Sequence, residues 1–427
     1  MRAFKDVKFR KDIIDGVYKH GNYGWLGKLR ANEIESTMMS RFNKRVNKEL
    51  ALDVFHAHYL VDLSKRKEPK EPLKSLIEPI ERDRNTRITT VFNELQSKLF
   101  TVFYIYEVYK KLQDKLQDME NDDSDSNDID GLKSLISMLT GGSGGSISYD
   151  IMDKVQNEIN SAYRAAKEKT DRTMDNLRAF SSLAGTEKCE FTLGDAMELM
   201  YVSNVQEIAE VYSKIGTIPV SKPRKDSSRG IVNGVTKGNN ISSATVSNLL
   251  LPDELFYYRY ATKSLTVRSK AYEVDEDVFI LIDASGSMDG RRTTWARSVA
   301  IALLKSMSRS SRNVKVAFFN YGITAEYDFK KNPKGTIMGI VSAVSDGGTD
   351  IDDALIHADN NIDGTIVCIT DGEDDVSYRP KNKLVSVMID GDNSHLREVS
   401  DLYLSVTTDS RGGLKVLNAA RRAFSRV

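Results

Sequence analysis

Along the first part of the chain apolar residues recur at helical spacing; from about residue 275 they gather into short unbroken runs separated by polar stretches. Between about 27 and 120, Leu95, Leu99, Val102, Phe103, Tyr106 and Tyr109 keep the helical period, and Pro69, Pro72 and Pro79 mark breaks between helices. This predicts a helical domain over 1–120. A second helical region is predicted over 149–216: residues 151–183 keep the same period, and Thr192, with Asp195 three positions on, caps a segment ending at Met200. Two linkers are expected, one acidic and rich in Gly and Ser at 121–148, the other polar and Gly-rich at 217–247. Leu249, Leu250, Leu255, Phe256, Tyr257, Tyr258 and Tyr260 then restore an apolar surface, so 248–274 is expected to be a connecting segment packed on the C-terminal domain, 275–427.

In that last domain the apolar runs 278–282, 314–319, 365–370, 384–389 and 402–406 alternate with helical stretches at 291–308, 335–344, 350–360 and 412–425. Alternation of this kind predicts an α/β domain, a mostly parallel Rossmann-like sheet with helices on both faces. Residues 323–329 alternate apolar and polar positions after a Gly turn, as an antiparallel edge strand does. Open sheets of this class bind ligands beyond the carboxyl ends of their strands, where the strand order reverses. There the sequence places oxygen donors. Asp283, Ser285 and Ser287 follow the run 278–282, Thr349 lies in a glycine-bearing loop at 346–350, and Asp371 closes the run 365–370 just before Gly372. Hydroxyls close in, with carboxylates beside them, suit a hard divalent cation, Mg²⁺ or Mn²⁺. The plainer alternative has Asp283 and Ser285 only capping the following helix, which leaves the oxygens at the other two strand ends unexplained.

These five positions resemble the metal-ion-dependent adhesion site (MIDAS) of the von Willebrand factor A (VWA) domains, read as D-x-S-x-S with a distant Thr and a distant Asp. The resemblance implies that Ser285, Ser287 and Thr349 touch the metal, that Asp283 and Asp371 hold its waters, and that an acidic side chain of a protein partner completes the shell. The ion is then a bridge between proteins and not a catalyst. Trp295, Ala296 and residues 300–304 after the motif, with 347–350 and 369–372 later, are similar to the intracellular A-domain proteins encoded beside MoxR-type AAA+ ATPases, the ViaA and CoxE-like group. Residues 199–216 and the segment of Phe256, Arg259 and Leu265 resemble that group as well. What this implies is a metal-dependent adaptor working with a MoxR-type AAA+ ATPase in complex assembly or remodelling. The alternative is a metal-chelatase accessory subunit assisting ATP-driven metal insertion; that class calls for a long acidic, proline-rich linker directly before the A domain, which is missing here. RNA binding, as in ring-shaped helical-repeat proteins that end in an A domain, is a third reading.

Composition narrows these choices. Lys plus Arg number 61 and Asp plus Glu number 61, so the chain as a whole gives no electrostatic case for nucleic acid. The basic cluster at 222–225 has no interleaved aromatics and reads as a solvated run. Cys189 and Cys368 stand far apart and imply no disulfide framework, and no stretch reaches the length of a membrane span, so a cytoplasmic location is expected. The acidic run 118–130 reads as a solvated loop, since an EF-hand frame with Gly131 sixth puts Ser137 where the bidentate Glu belongs. The glycine run 141–146 reads as a connector or hinge, since no Lys-Ser or Lys-Thr follows it as a phosphate loop requires. His20, His56, His58, His357 and His395 all lie outside the metal motif, so no hydrolytic activity is expected. Asp289, Asp350, Glu373, Asp374 and Asp375 crowd the rim of the motif and receive no role.

Overall fold

Helical spacing in the first part of the chain becomes eight helices among the described residues of a computed structural model, which describes residues 25–60, 73–90, 93–121, 126–142, 149–185, 191–215, 231–271, 277–308 and 313–424. They are α1 (Trp25–Phe42), α2 (Lys48–Tyr59), α3 (Leu73–Arg82), α4 (Arg84–Thr90), α5 (Glu94–Asn121), α6 (Ser126–Leu139), α7 (Tyr149–Ala184) and α8 (Leu193–Met200). The chain separates into two units, Met1–Ser181 with Thr186–Ser203 and Ser182–Gly185 with Asn204–Val427. In the first, α5 supplies the core, burying Leu99, Phe100, Val102, Phe103 and Tyr104. His58 of α2 stacks on Phe100 at 4.2 Å, and both His56 and His58 are buried, so these histidines are core residues. Arg30 spans the fork of Glu94 and lies over the rings of Phe55 and Tyr59.

Several expected boundaries move. Pro79 lies within α3, and the break comes after it at Asp83, whose carboxylate accepts the Thr86 N–H and caps α4. The acidic stretch expected to be a loop is helical where described: α5 runs to Asn121 and α6 starts at Ser126. Leu132, Leu135 and Leu139 bury one side of α6, and Asp128 sits in its first turn, where the helix dipole favours negative charge. Acidic density hid an ordinary amphipathic stripe. Of the glycine run, Gly141 takes φ +83° and Gly142 N–H closes on Ser137 O at 2.9 Å, so these two stop α6; the rest lies outside the described residues. Thr192 and Asp195 cap α8 reciprocally, as their spacing predicts.

The second unit begins its described course with α9 (Val205–Ile215), which sequence periodicity groups with the helices before it. Amphipathicity says that a face is buried without saying against what. Then come β1 (Ile231–Gly238), α10 (Val246–Leu249), α11 (Asp253–Ala261) and β2 (Leu265–Ala271). The second expected linker is therefore partly a strand: β1 pairs antiparallel with β2, with an irregularity between Val232 and Gly234, while 216–230, including the basic cluster, lies outside the described residues. Within 248–274 only part of the apolar surface is buried: Leu265 and Val267 of β2 are, whereas Leu249, Leu250, Leu255, Tyr257, Tyr258 and Tyr260 are exposed. No residue of α11 is buried, and Tyr257 and Tyr258 are each 65 % exposed. Its large side chains occupy consecutive positions and so point around the helix instead of forming one stripe.

The remainder is the expected α/β layout: β3 (Asp277–Asp283), α12 (Arg291–Met307), β4 (Val314–Phe319), β5 (Ile323–Asp328), α13 (Pro333–Ser342), α14 (Ile351–Asn361), β6 (Gly364–Thr370), β7 (Lys383–Ile389), α15 (Ser394–Val399), β8 (Leu402–Val406) and α16 (Ser410–Phe424). Strand order is β5-β4-β3-β6-β7-β8, parallel except where β4 meets β5. β3, β6 and β7 are buried along nearly their whole length, as strands covered on both faces must be. On one face Phe279, Leu281, Ile366 and Cys368 pack with Ile351, Ala354, Leu355 and Ala358 of α14. α12, whose Trp295 is buried and donates its indole N–H to Asp409 O, is also held to α9 through Ser298 Oγ on Ile208 O at 3.0 Å. From β3 the chain proceeds to β4 on one side and later returns to β6 on the other, so the order reverses between β3 and β6. A crevice for a ligand belongs at the carboxyl ends of those two strands.

Candidate metal site

β3 ends at Asp283 and a single 3₁₀ turn, Gly286–Met288, follows. The turn is set locally: Ser285 N–H donates to Asp283 Oδ1 at 2.8 Å, which folds the loop back over the strand end. Ser285 and Ser287 thereby bring their hydroxyls to 3.1 Å of each other. The other Asp283 oxygen accepts the Thr370 hydroxyl at 2.6 Å. Thr370 is the last residue of β6, and the β3–β6 register, with Ile282 beside Ile369, makes it the lateral neighbour of Asp283. Asp371 comes next, and Gly372, at φ +68°, turns the chain away. The two acidic residues are side by side because two parallel strands end together.

The loop carrying Thr349 is fastened from both sides. Asp346 N–H donates to Ala284 O at 2.7 Å, Gly286 N–H to Gly347 O at 2.9 Å, and Asp350 N–H to Asn320 O at 2.7 Å. At its start, Arg297 of α12 donates to Val341 O and Ala343 O at 3.3 and 2.6 Å, and Thr293 and Ser345 hydroxyls meet at 3.0 Å. Burial pulls the Arg297 pKa down to about 10, yet at neutral pH it remains a cation on the carbonyl end of α13. Gly347 takes φ +83°, which admits the tight turn next to Thr349. Thr349 is half-buried beside the serine loop.

Charge in the crevice is out of balance locally. Asp283 and Asp371 are almost wholly buried. Burial raises the Asp283 pKa above the ordinary carboxylate value; hydrogen bonds from Thr370 and Ser285 oppose the shift, and the negative charge of Asp371 adds to it. On Asp371, Oδ2 accepts Arg292 Nη1 at 2.8 Å, but Oδ1 is buried with no hydrogen-bond partner. Such an oxygen is costly unless something supplies it with positive charge or a donor. Among the described residues no three His, Cys, Asp or Glu side chains gather at metal-ligand spacing. The donors here are hydroxyls with two carboxylates, the chemistry of a small hard cation that keeps part of its water shell. Ser285, Ser287 and the free Asp371 oxygen fit such an ion, with Asp283 behind them and Thr349 on the adjoining loop.

The family model of the von Willebrand factor type A domain matches residues 278–373, from the first buried residue of β3 to just past Asp371. Residues 278–373 form a VWA domain. Two uncharacterised proteins of Methanocaldococcus jannaschii are similar to this chain, one 30 % identical over 143 residues (30 % of this chain, 37 % of the relative) and one 29 % identical over 186 (36 % and 42 %). A putative VWFA domain-containing protein of Acidianus two-tailed virus is 23 % identical over 195 residues, 38 % of this chain and 21 % of its own length. The chain thus spans well under half the length of these curated relatives. VWA domains mediate protein–protein interactions and commonly bind a divalent metal.

The sequence pattern singles out Asp283, Ser285, Ser287, Thr349 and Asp371 and gives no sign of three residues that hydrogen-bond around them. Thr370 ends a strand run and looked only apolar-adjacent; the signal was its register opposite Asp283. Arg292 and Arg297 lie on α12, and their carboxylate and carbonyl partners are 79 and 44 or 46 positions away, beyond any local pattern. Of the histidines, His357 pairs with Glu326 and His395 with Asp375.

Proposed function

We propose that this protein is a metal-dependent protein–protein adaptor whose VWA domain holds Mg²⁺ or Mn²⁺ through Ser285, Ser287 and Thr349, with Asp283 and Asp371 steadying the ion's waters, and captures an acidic side chain of a partner. The observation that carries this reading is the pairing of the Ser285 and Ser287 hydroxyls at the β3–β6 switch point, with Asp283 and a buried Asp371 oxygen that no protein group serves at the same two strand ends, and with the loop of Thr349 tied to the serine turn through Gly286 N–H on Gly347 O. Bound there, the ion supplies an open coordination position for a partner carboxylate. The protein acts by binding and is not itself an enzyme. The likeness of residues 199–216, 347–350 and 369–372 to A-domain proteins encoded beside MoxR-type AAA+ ATPases supports such an ATPase as the co-worker, in assembly or remodelling of a complex. Cys368 is buried among apolar residues and its thiol is pushed far up by burial, an inert filler consistent with a cytoplasmic setting. No described helix is long and apolar enough to cross a membrane.

Titration calorimetry of Mn²⁺ and Mg²⁺ into the full chain and its Asp283→Ala variant tests this, repeated with a peptide bearing a single glutamate and with its glutamine counterpart. Expected is metal binding that the variant loses and that tightens with the glutamate peptide alone. Metal binding indifferent to Asp283, or no metal binding at all, would sink the reading.

A further inference from the structure

Arg292 is the second residue of α12, and its place there is unfavourable on local grounds. The first turn of a helix repels positive charge, and this one contains Arg291 and Arg292 with no acidic residue. What holds the Arg292 guanidinium is the crevice. Its Nη1 donates to Asp371 Oδ2 at 2.8 Å and to Ser287 O at 3.2 Å, so it touches two residues of the proposed metal site at once. The contact is not the parallel fork that arginine offers a carboxylate at its best, because a single nitrogen serves both acceptors and Asp371 Oδ1 faces no donor. The side chain is 33 % exposed, and a second carboxylate lies beside it: Arg292 Nε is 3.9 Å from Asp390 Oδ2. Asp390 follows β7, so the guanidinium stands between the ends of two neighbouring strands.

We propose that Arg292 is the resident counter-ion of this site, competing with the divalent ion for Asp371 and passing to Asp390 when the ion binds. This rests on the metal reading given above. An ion drawn to Asp371 meets a fixed positive charge on the same carboxylate, and like charges that close repel strongly in a half-buried setting. Loading at Oδ1 is therefore opposed by the guanidinium on Oδ2 and favours its passage to Asp390. A partner carboxylate arriving with or after the ion adds the negative charge that offsets Arg292, so metal and partner bind cooperatively, each raising the other's affinity. The partner chemistry implied is a single exposed Asp or Glu side chain.

The test is Mn²⁺ affinity, read by titration calorimetry and by the loss of free-ion electron paramagnetic resonance signal, on the full chain. Arg292→Gln should bind Mn²⁺ about tenfold more tightly than the parent, the order expected when one charged hydrogen bond no longer has to be broken. Arg292→Lys keeps the charge without the planar fork and should fall between the two. Arg291→Gln removes a neighbouring charge that reaches only Thr408 O, and should change affinity less than about twofold. Asp390→Asn should weaken Mn²⁺ binding in the parent and leave it unchanged in the Arg292→Gln background, because its part is to receive the guanidinium. Equal tightening by Arg291→Gln and Arg292→Gln would reduce the effect to general charge and overturn the proposal. So would weaker binding by Arg292→Gln, or an Asp390→Asn effect that is the same in both backgrounds. Absence of Mn²⁺ binding to parent and Arg292→Gln alike would overturn the metal reading, and this inference with it.

Discussion

Two arginine–carboxylate pairs in this chain put the same chemistry to different ends. In the helical unit Arg30 meets Glu94 with its fork, Nε to Oε1 at 3.3 Å and Nη2 to Oε2 at 3.0 Å, while Lys98 adds a contact at 2.8 Å and the guanidinium lies 4.9 and 5.1 Å from the ring centres of Phe55 and Tyr59. Every oxygen is served. Partial burial raises the Glu94 pKa, but Arg30 and Lys98 together outweigh it and hold the carboxyl down at about 2. In the VWA domain Arg292 reaches one oxygen of Asp371, the other oxygen is orphaned, and the neighbouring Asp283 is pushed up by burial and by Asp371. A carboxylate whose two oxygens both have donors is a fastening; one with a buried oxygen left without a donor, beside a second buried acid, is where a cation would be accommodated. The difference lies in which groups remain unserved, since both are arginine–carboxylate pairs.

The largest effect expected from this comparison comes at Asp283. Asp283→Asn keeps the shape and the acceptor for the Ser285 N–H, turns the Thr370 contact into one the amide donates, and removes the charge, so divalent-ion affinity should fall by about 100-fold. Folding stability should hold or rise. The raised pKa means that keeping Asp283 ionised at neutral pH works against the folded state, and the amide carries no such burden. A melt and a Mn²⁺ titration on the same sample check both halves. If the variant unfolds more easily by ~2 kcal/mol or more, the crevice is as much a fastening as the helical pair, and the contrast fails.

Glu94→Gln should do the reverse, costing about 1–3 kcal/mol of stability through the buried Arg30 it leaves half-paired, with no change in Mn²⁺ affinity. Its acid dependence follows from the sign of the shift. The folded pKa of about 2 lies below the ordinary 4.5, so the contribution of Glu94 is complete above about 4.5 and is lost as pH falls toward 2. Chemical denaturation between pH 6 and 2.5, which crosses most of that window, should therefore show a shallower loss of stability in the variant than in the parent. A variant as acid-sensitive as the parent would mean the pair is not the fastening its geometry suggests.

The crevice was more legible in the sequence than the helical unit, and the reason is topological. Runs such as 278–282 and 365–370 have to be buried strands, parallel strands so connected end on one side of the sheet, and the residues just past those ends are then neighbours wherever they fall in the chain. Asp283 and Asp371 follow from that alone. Helical periodicity carries less: it finds that α9 and α6 each have an apolar side without naming the surface it meets, so it groups α9 with the helices before it and leaves α6 under its acids. The exposed rings of α11 show the converse, apolar composition without a stripe to pack. Arg292 and Thr370 were invisible because hydrogen-bond partners 79 and 87 positions apart are chosen by the finished fold.

A smaller effect is expected at Gly372. Its φ of +68° lies where a side chain is strained, and an added Cβ would come 2.6 Å from Met388 Sδ. Met388 is unbranched and yields, so the backbone term dominates, about 1–2 kcal/mol for Gly372→Ala. Because the strain falls on the residue after Asp371, ion affinity should drop in parallel, by several-fold; a stability loss with unchanged affinity would mean that Asp371 is positioned by its strand and owes nothing to the turn.

The smallest effect separates an open carboxylate from a merely acidic rim. Asp375 is 96 % exposed and pairs with the half-exposed His395, so water and salt screen its charge. Asp375→Asn should shift stability by less than ~0.5 kcal/mol and Mn²⁺ affinity by less than about twofold, within what surface substitutions ordinarily do. A larger loss of affinity would show that the ion is drawn by the summed field of the rim, and not by the one buried oxygen that distinguishes Asp371 from the closed carboxylate of Glu94.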